Sequence, residues 1–515
     1  MKSQVIIVIS LILTLCCMDA VQGLCPIRCQ CNEERLVVVC DEAGLDVVPI
    51  TLNPDLQEFH LSKNSIKGIM AAFSVYHNLE YLDMTNNQLV ALGRNNFKLQ
   101  RKLRILLLGH NMISSLYHST FNGLNGLQIL KLTKNFIRDL PGGVFTDLVS
   151  LEVLDLSGNN IATISKDAFM GLESLKILLL KDNKLGHVPT SSFRTISHLL
   201  SIDLGLNNFP SLPDDSFVYL VNLEKLKLDS CRIHEIHENT FRGLTKLIYL
   251  FLQDNILNSV PTESFLHLKH LLELNIGQNN MKTIKPKSFC GLNNVQTITI
   301  NSAPYLERIE HEAFSSTTRL QHIVLNHNKR LKHIEKNAFS SLTMLRSISL
   351  RGNDFQTFRE DVLPWSDLQR FDLRDNPLVC NCSLSWLLRQ FETRNFSDSF
   401  DLAFTQVRCE HPLVFRDFML KSLTMNDLGC DKHQTQKILT WTFAAIGVVF
   451  VVTLLAVLWY RQKIVNDCKI KCSSTIPDSQ YENRYRLDNR IREGVSSERE
   501  WVVKIGRHSF PGRLV

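Results

Sequence analysis

Apolar residues recur along this chain with a short alternation nested in a much longer period. The motif Leu-x-x-Leu-x-Leu-x-x-Asn, with other apolar residues in some leucine slots, occurs fourteen times between Leu56 and Asn376. Its units open at Leu56, Leu79, Leu103, Leu127, Leu151, Leu175, Leu199, Leu223, Leu247, Leu271, Val295, Leu320, Leu345 and Leu368, and from Leu79 to Val295 the spacing is an unbroken 24 residues. Side chains alternate along extended backbone, so the fourth and sixth residues of each unit share the inward face of a short strand. The ninth position closes the turn, where an Asn side chain satisfies backbone groups that the bend leaves unpaired. Asn87, Asn111, Asn135, Asn159, Asn183, Asn207, Asn255 and Asn279 stand there, and Cys231 takes the slot in the eighth unit. A unit of this size cannot bury its own apolar face. The units must stack, and a stack of strands and turns curves into a solenoid.

A second column supports the register. Eighteen residues after most unit starts comes a phenylalanine: Phe97, Phe121, Phe145, Phe169, Phe193, Phe217, Phe241, Phe265 and Phe289, joined by Phe73, Phe314 and Phe339 where unit lengths change. Rings at this phase fill the wider outer arc and are expected to stack as a spine of the convex wall. They are core, and no cofactor is expected among them.

Cysteines bracket the array. Cys25, Cys29, Cys31 and Cys40 give C-x3-C-x-C-x8-C ahead of the first unit; Cys380, Cys382, Cys409 and Cys430, enclosing Trp386, give C-x-C-x26-C-x20-C after the last. A solenoid ends with its core open to water, and a small disulfide-stapled module covers it. Zinc is the rival use of such clusters, but thiolate metal sites belong to reducing compartments and this chain carries export signals. Spacing leaves three pairings open for each set of four.

Repeats, phenylalanine column and caps together resemble the extracellular leucine-rich repeat superfamily, in its 24-residue class found in Toll-like, Slit-like and neuronal adhesion proteins. The resemblance covers residues 25 to about 430. It implies an α/β solenoid: a horseshoe with a parallel concave β-sheet, closed by disulfide caps and followed by one transmembrane helix. It also implies the pairings Cys25–Cys31, Cys29–Cys40, Cys380–Cys409 and Cys382–Cys430.

The export signals are an apolar run from Val5 to Leu15 behind Lys2, and small residues before Leu24 that suit a signal-peptidase cut. Near the other end, Ile438 to Tyr460 carries no charge, is long enough to cross a bilayer, and is followed by Arg461, Lys463, Lys469 and Lys471. The expected organisation is signal peptide 1–23, amino-terminal cap 24–50, repeats 51–378, carboxy-terminal cap and stalk 379–437, membrane helix 438–460 and cytosolic tail 461–515. A type I protein of the plasma membrane follows. Of the formal charge of +6, the tail contributes +5, from 12 Lys and Arg against 7 Asp and Glu. The exported part is near neutral and nucleic acid is not indicated.

The outward third and fifth strand positions are the expected contact surface. The third reads Tyr81, Ile105, Ile129, Val153 and Ile177; the fifth includes Leu107 and Leu179; in the ninth repeat Tyr249 and Phe251 stand together. An exposed apolar stripe of this length marks an interface, against the plainer reading that β-branched residues suit strands and are half covered by neighbours. The eleventh and twelfth repeats run 25 residues, and Asn301 to Tyr305 is a second candidate contact. Sequons fall at Asn381 and Asn395, both in the second cap, which leaves the horseshoe bare.

Enzyme motifs are missing: the chain has no Gly-rich phosphate loop, no Gly-x-Ser-x-Gly and no His-Glu-x-x-His, and its 17 histidines scatter over different repeat phases. No enzymatic activity and no cofactor are expected. The tail is too short for a signalling domain. Tyr481, in Tyr-x-Asn form, suits a phosphotyrosine-reading cytosolic adaptor, and Cys468 and Cys472 suit palmitoylation near the membrane. The expected function is a cell-surface receptor or adhesion protein that binds a protein partner. The alternatives are an auxiliary or matrix-organising membrane protein acting on a channel, growth-factor receptor or matrix component, and an innate pattern-recognition receptor without its own signalling domain.

Overall fold

A computed structural model describes residues 25–393, 406–430 and 432–472. The expected signal peptide, Asn395 and Tyr481 lie outside the described residues. The chain divides into two compact units, Met1–Lys432 and His433–Val515.

In the first unit the described residues form a sheet of sixteen strands. Two belong to the amino-terminal cap, where Gln30–Asn32 pairs antiparallel with Val37–Val39. The remaining fourteen are three-residue strands, one per repeat from Glu58–His60 to Arg370–Asp372, all parallel and in sequence order. The fourth and sixth columns are buried throughout, as at Leu106 and Leu108 or Leu226 and Leu228. Among the described residues the rest of each repeat is turns, short 3-10 segments, a four-residue α-helix at Thr262–Phe265 and two-residue parallel strands, such as Asp139–Leu140 beside Thr163–Ile164.

The ninth column explains why Asn recurs. Asn159 Nδ2 donates to Leu132 O of the preceding coil at 2.9 Å and to Leu156 O of its own, while its Oδ1 accepts the Ile137 N–H of the preceding coil. One amide therefore clamps two coils, and the pattern repeats from Asn64, which holds Cys40 O of the cap, to Asn376, which holds Leu350 O. Short strands leave many turn groups without a ladder partner, and a buried group left unpaired is costly. The turn is tight. In all fourteen repeats the eighth residue has positive φ, between 51° and 71°.

Cys231 keeps the clamp by other means. Its own carbonyl accepts the Phe209 N–H at 2.9 Å, the bond that an Asn Oδ1 makes elsewhere, and its N–H donates to Asn255 Oδ1.

The phenylalanines form the expected spine. Successive rings stack at 5.8 Å for Phe121–Phe145, 6.5 Å for Phe145–Phe169 and 6.3 Å for Phe217–Phe241. Strands in the concave sheet sit about 4.8 Å apart. The outer layer is thus spaced more widely than the inner one, and the stack bends toward its sheet. Around the two 25-residue repeats the ring spacing falls to 5.0 and 5.3 Å, and the bend relaxes.

The caps carry the disulfides Cys25–Cys31, Cys29–Cys40, Cys380–Cys409 and Cys382–Cys430. Each is also keyed to the stack. Tyr76 donates its hydroxyl to Pro49 O at 2.7 Å, and buried Trp386 donates Nε1 to Phe358 O at 3.0 Å while packing on Trp365.

A helix, all but its first residue in the second unit, spans Lys432–Cys472, and its stretch Gln436–Asn466 is long and apolar enough to cross a membrane. None of that stretch is buried. Cys468 and Cys472 lie in its last turns.

Candidate binding surface

Parallel pairing without register shift turns each outward position of the repeat into a row across the concave sheet. Tyr81, Ile105, Ile129, Val153 and Ile177 are direct lateral neighbours, one per strand. All five are half-buried: each is covered in part by its neighbours and offers an edge to solvent. With strands about 4.8 Å apart, the row is roughly 20 Å long. It ends at Ser201 and Lys225.

The fifth position makes no such row. Lys131 and Asp155 separate Leu107 from Leu179, so these leucines are single apolar points beside the third-position stripe. Beyond Lys225 comes the aromatic pair. Tyr249 is exposed and Phe251 half-buried, and the Lys225 ammonium sits 5.8 Å from one ring centroid and 5.5 Å from the other. A cation over two rings fixes both faces and leaves an apolar anchor with a charged border.

Between stripe and aromatic pair lies a charged floor. Asp203 is buried, accepts the Gly205 N–H, and pairs with Lys227 at 3.0 Å. Asp229 reaches across two repeats to Lys181 at 3.6 Å. That reach depends on Gly205 in the repeat between, because a Cβ there would stand 3.0 Å from the Asp229 carboxylate.

Asn301 to Tyr305 splits into two roles. Asn301 Oδ1 accepts the Asn326 N–H, and Asn326 Oδ1 accepts in turn from Ser349 Oγ and Arg351 N–H, so Asn301 is a rung of a local ladder. Tyr305 points outward, with the Arg330 guanidinium 5.3 Å from its ring centroid. The extra residues of the two long repeats therefore pack on each other.

Leu206 escaped the sequence reading. It holds φ +55° in a turn slot occupied elsewhere by Asn, Asp, Ser, Gln, His, Lys or Gly, and 45% of it is exposed. A bulky apolar residue in the left-handed region, turned to water, has no stabilising reason to be there. Its signal in the sequence was a leucine at the eighth position of a repeat, which a search of strand positions alone passes over.

Several candidates lie elsewhere. Asn381 is exposed in the second cap, where its Oδ1 accepts from Ser383 N–H and Ser383 Oγ. His237 sits 3.3 Å from Ser211 Oγ and 3.7 Å from Glu235, on the far side of the repeat from the sheet. Cys231 and Cys290 are free thiols; burial pushes the Cys231 thiol up to about 12.

The chain matches two family models. One, described as leucine rich repeat, matches residues 77–135, 101–161, 125–185, 173–233 and 221–265; the other, a BspA type leucine rich repeat region, matches 258–378. Together they run without a gap over more than half of the chain. Among solved structures, the chain is similar to TLR13 in its complex with ssRNA13, at 22% identity and TM-score 0.51, over 73% of this chain and 69% of that one. It also matches a chain in the octameric complex of latrophilin 3, Unc5D and FLRT2, at 22% identity and TM-score 0.43, over 79% of this chain and all of that one.

Proposed function

Because the chain belongs to the leucine-rich repeat family, we propose that it is a single-pass cell-surface receptor or adhesion protein whose concave sheet binds another protein. One observation carries this reading. The third-position stripe, with Leu107 and Leu179 beside it, and the Tyr249–Phe251 pair are apolar points on a face whose other outward residues are mostly charged or polar, and a half-covered apolar row with an aromatic anchor is the composition of a protein interface. The near-neutral exported part lends no support to a nucleic acid as the ligand. The apolar helix argues for a membrane anchor, since an uncovered run of that length has no other favourable solvent. Lys and Arg beyond it argue for a cytosolic tail, where Tyr481 would serve an adaptor and Cys468 and Cys472 a lipid anchor.

The test is binding of the tetramerised ectodomain, residues 24–437, to an array of membrane and secreted ectodomains. A membrane-bound partner lost on Phe251→Asp, Leu107→Asp or Leu179→Asp supports the reading. A matrix-only partner, or one indifferent to all three changes, transfers it to the auxiliary alternative.

A further inference from the structure

We propose that the second cap rests on the bilayer that anchors the chain, with the loop from Leu413 to Phe418 seated by its apolar tip among the lipids of the outer leaflet. This rests on the reading that the chain is membrane-anchored with its repeats outside.

The cap buries most of its apolar residues and holds three out. Leu384, Leu387, Val407, Leu420, Leu423 and Leu428 are buried, whereas Leu413 and Val414 are each 73% exposed and Phe418 is 53% exposed. The exposure is built into the loop. Cys409 N–H donates to Phe418 O at 3.0 Å and Asp417 N–H donates to Cys409 O at 2.9 Å, which closes the loop at its base, and Cys409 is itself bonded to Cys380. Phe415 packs on the core and meets the Phe418 ring edge to face at 6.4 Å, so the short turn Leu413–Phe415 has its aromatic residue as foot and its two aliphatic residues as tip. A loop tied at both legs cannot fold these side chains away, and keeping them in water has a cost that an apolar phase removes.

Its charges suit a boundary between polar and apolar phases. Glu410 pairs with Arg416 at 2.8 Å, so neither is an isolated charge. Arg408 Nη1 donates to Asp417 O at 2.6 Å, and Lys421 is exposed just beyond the loop. From Arg408 to Lys421 there are three Lys and Arg against two Asp and Glu. An apolar tip with a slightly basic base is what a headgroup layer accepts, the cations lying level with the phosphates.

The covalent chain says what lies opposite. Cys430 is fixed to the cap by its bond to Cys382, and the apolar stretch begins at Gln436, six residues on. At no more than about 3.5 Å per residue, the bilayer surface lies within roughly 20 Å of Cys430. A module of about fifty residues has a radius of gyration of about 10 Å, so the loop is within reach of the headgroups, and an apolar face gains most by turning to them. A soluble partner would have to compete with a surface that the tether keeps always at hand.

The experiment uses the full chain in cells. The photoreactive residue p-benzoylphenylalanine replaces Val414, Ile27 at the exposed start of the first cap, or Val448 in the apolar helix, and mass spectrometry of the purified, irradiated chain identifies what each label has captured. Arrival at the cell surface is the check on folding. Lipid adducts are expected at Val448 and Val414, and at least about tenfold fewer at Ile27. With the label moved to Phe418, Leu413→Asp/Val414→Asp is expected to lower the lipid adduct more than about tenfold, because carboxylates do not enter the apolar layer. Protein adducts alone at Val414, equal lipid labelling at Ile27 and Val414, or a Phe418 adduct indifferent to the two aspartates would each overturn the proposal. Lipid at Val448 without lipid at Val414 overturns it and leaves the anchor standing; no lipid at any of these sites overturns both.

Discussion

Repeats two to six and repeats ten to fourteen are built on the same buried columns and present different faces. In the first group the third position reads Tyr81, Ile105, Ile129, Val153 and Ile177; in the second it reads Glu273, Thr297, His322, Ser347 and Arg370. Beneath both, the fourth and sixth columns and the spine phenylalanines are sealed from water. Stacking constrains the inward positions, because each must fill a fixed gap between coils, and it leaves the outward ones free. Differences along one outward row are therefore where the proposed binding face would tell one partner from another.

The sharpest way to break the comparison is to damage what the two groups share. Phe145 is stacked on both sides, by Phe121 and Phe169. Phe145→Ala is expected to cost about 3–5 kcal/mol, the loss typical of a fully buried aromatic. Ile129→Ala, in the same repeat but on the half-covered row of the concave sheet, is expected to cost far less. Thermal unfolding of the two variants measures the gap; equal losses would mean that the row is core and not surface.

The Asn clamp comes next. Asn159→Ala removes two donors and one acceptor and leaves Leu132 O and the Ile137 N–H buried without that partner, a loss of about 1–3 kcal/mol. Cys231→Ala is expected to cost less than Asn159→Ala, because the Phe209 N–H is taken by the Cys231 backbone carbonyl, which the change leaves in place. If the cysteine variant were the more damaged of the two in urea unfolding, the backbone substitution would not be what replaces the clamp.

The period alone made most of the architecture legible. Strand rows, spine and turn positions all follow from where a 24-residue unit must put its apolar residues, while the caps were legible from their cysteine spacing. The reach of each Asn into the preceding coil was not legible, because an amide's partners depend on how far apart two coils stand. The Lys181–Asp229 bridge was hidden for a related reason: it joins residues 48 positions apart, across Gly205, where a side chain would crowd the Asp229 carboxylate. The binding face was legible as a list and not as a shape. Leu107 and Leu179 share a column on paper, but Lys131 and Asp155 interrupt it. Whether an isoleucine on such a row is covered or bare depends on the length of the side chains beside it, which no single position encodes.

The free thiols sharpen the contrast between core and surface without any mutation. Cys231 is fully buried with its thiol pushed up by burial, whereas Cys290 is half-buried in the convex wall. A thiolate is the reacting species, so a maleimide added to the native chain is expected to modify Cys290 and to spare Cys231 until the protein unfolds. Mass spectrometry of labelled peptides reads this directly, and native labelling at Cys231 would mean that the eighth repeat opens on its own.

The smallest effect lies at His322, in the second group of repeats. Burial, with Arg346 and Arg370 acting in the same direction, holds His322 below the ordinary imidazole value of about 6.5. Just below that value the unfolded chain binds a proton that the folded chain does not. This contribution to stability is therefore intact at neutral pH, falls as the pH drops through the ordinary value toward the folded one, and changes no further below it. His322→Gln should remove that step from the acid limb of the stability profile, and Arg346→Gln should move the ring's titration, followed by NMR, upward. A His322 that titrates at its ordinary value, and does so unchanged in Arg346→Gln, would mean that the arginines exert no field on the sheet, and would remove the electrostatic difference between the two groups of repeats.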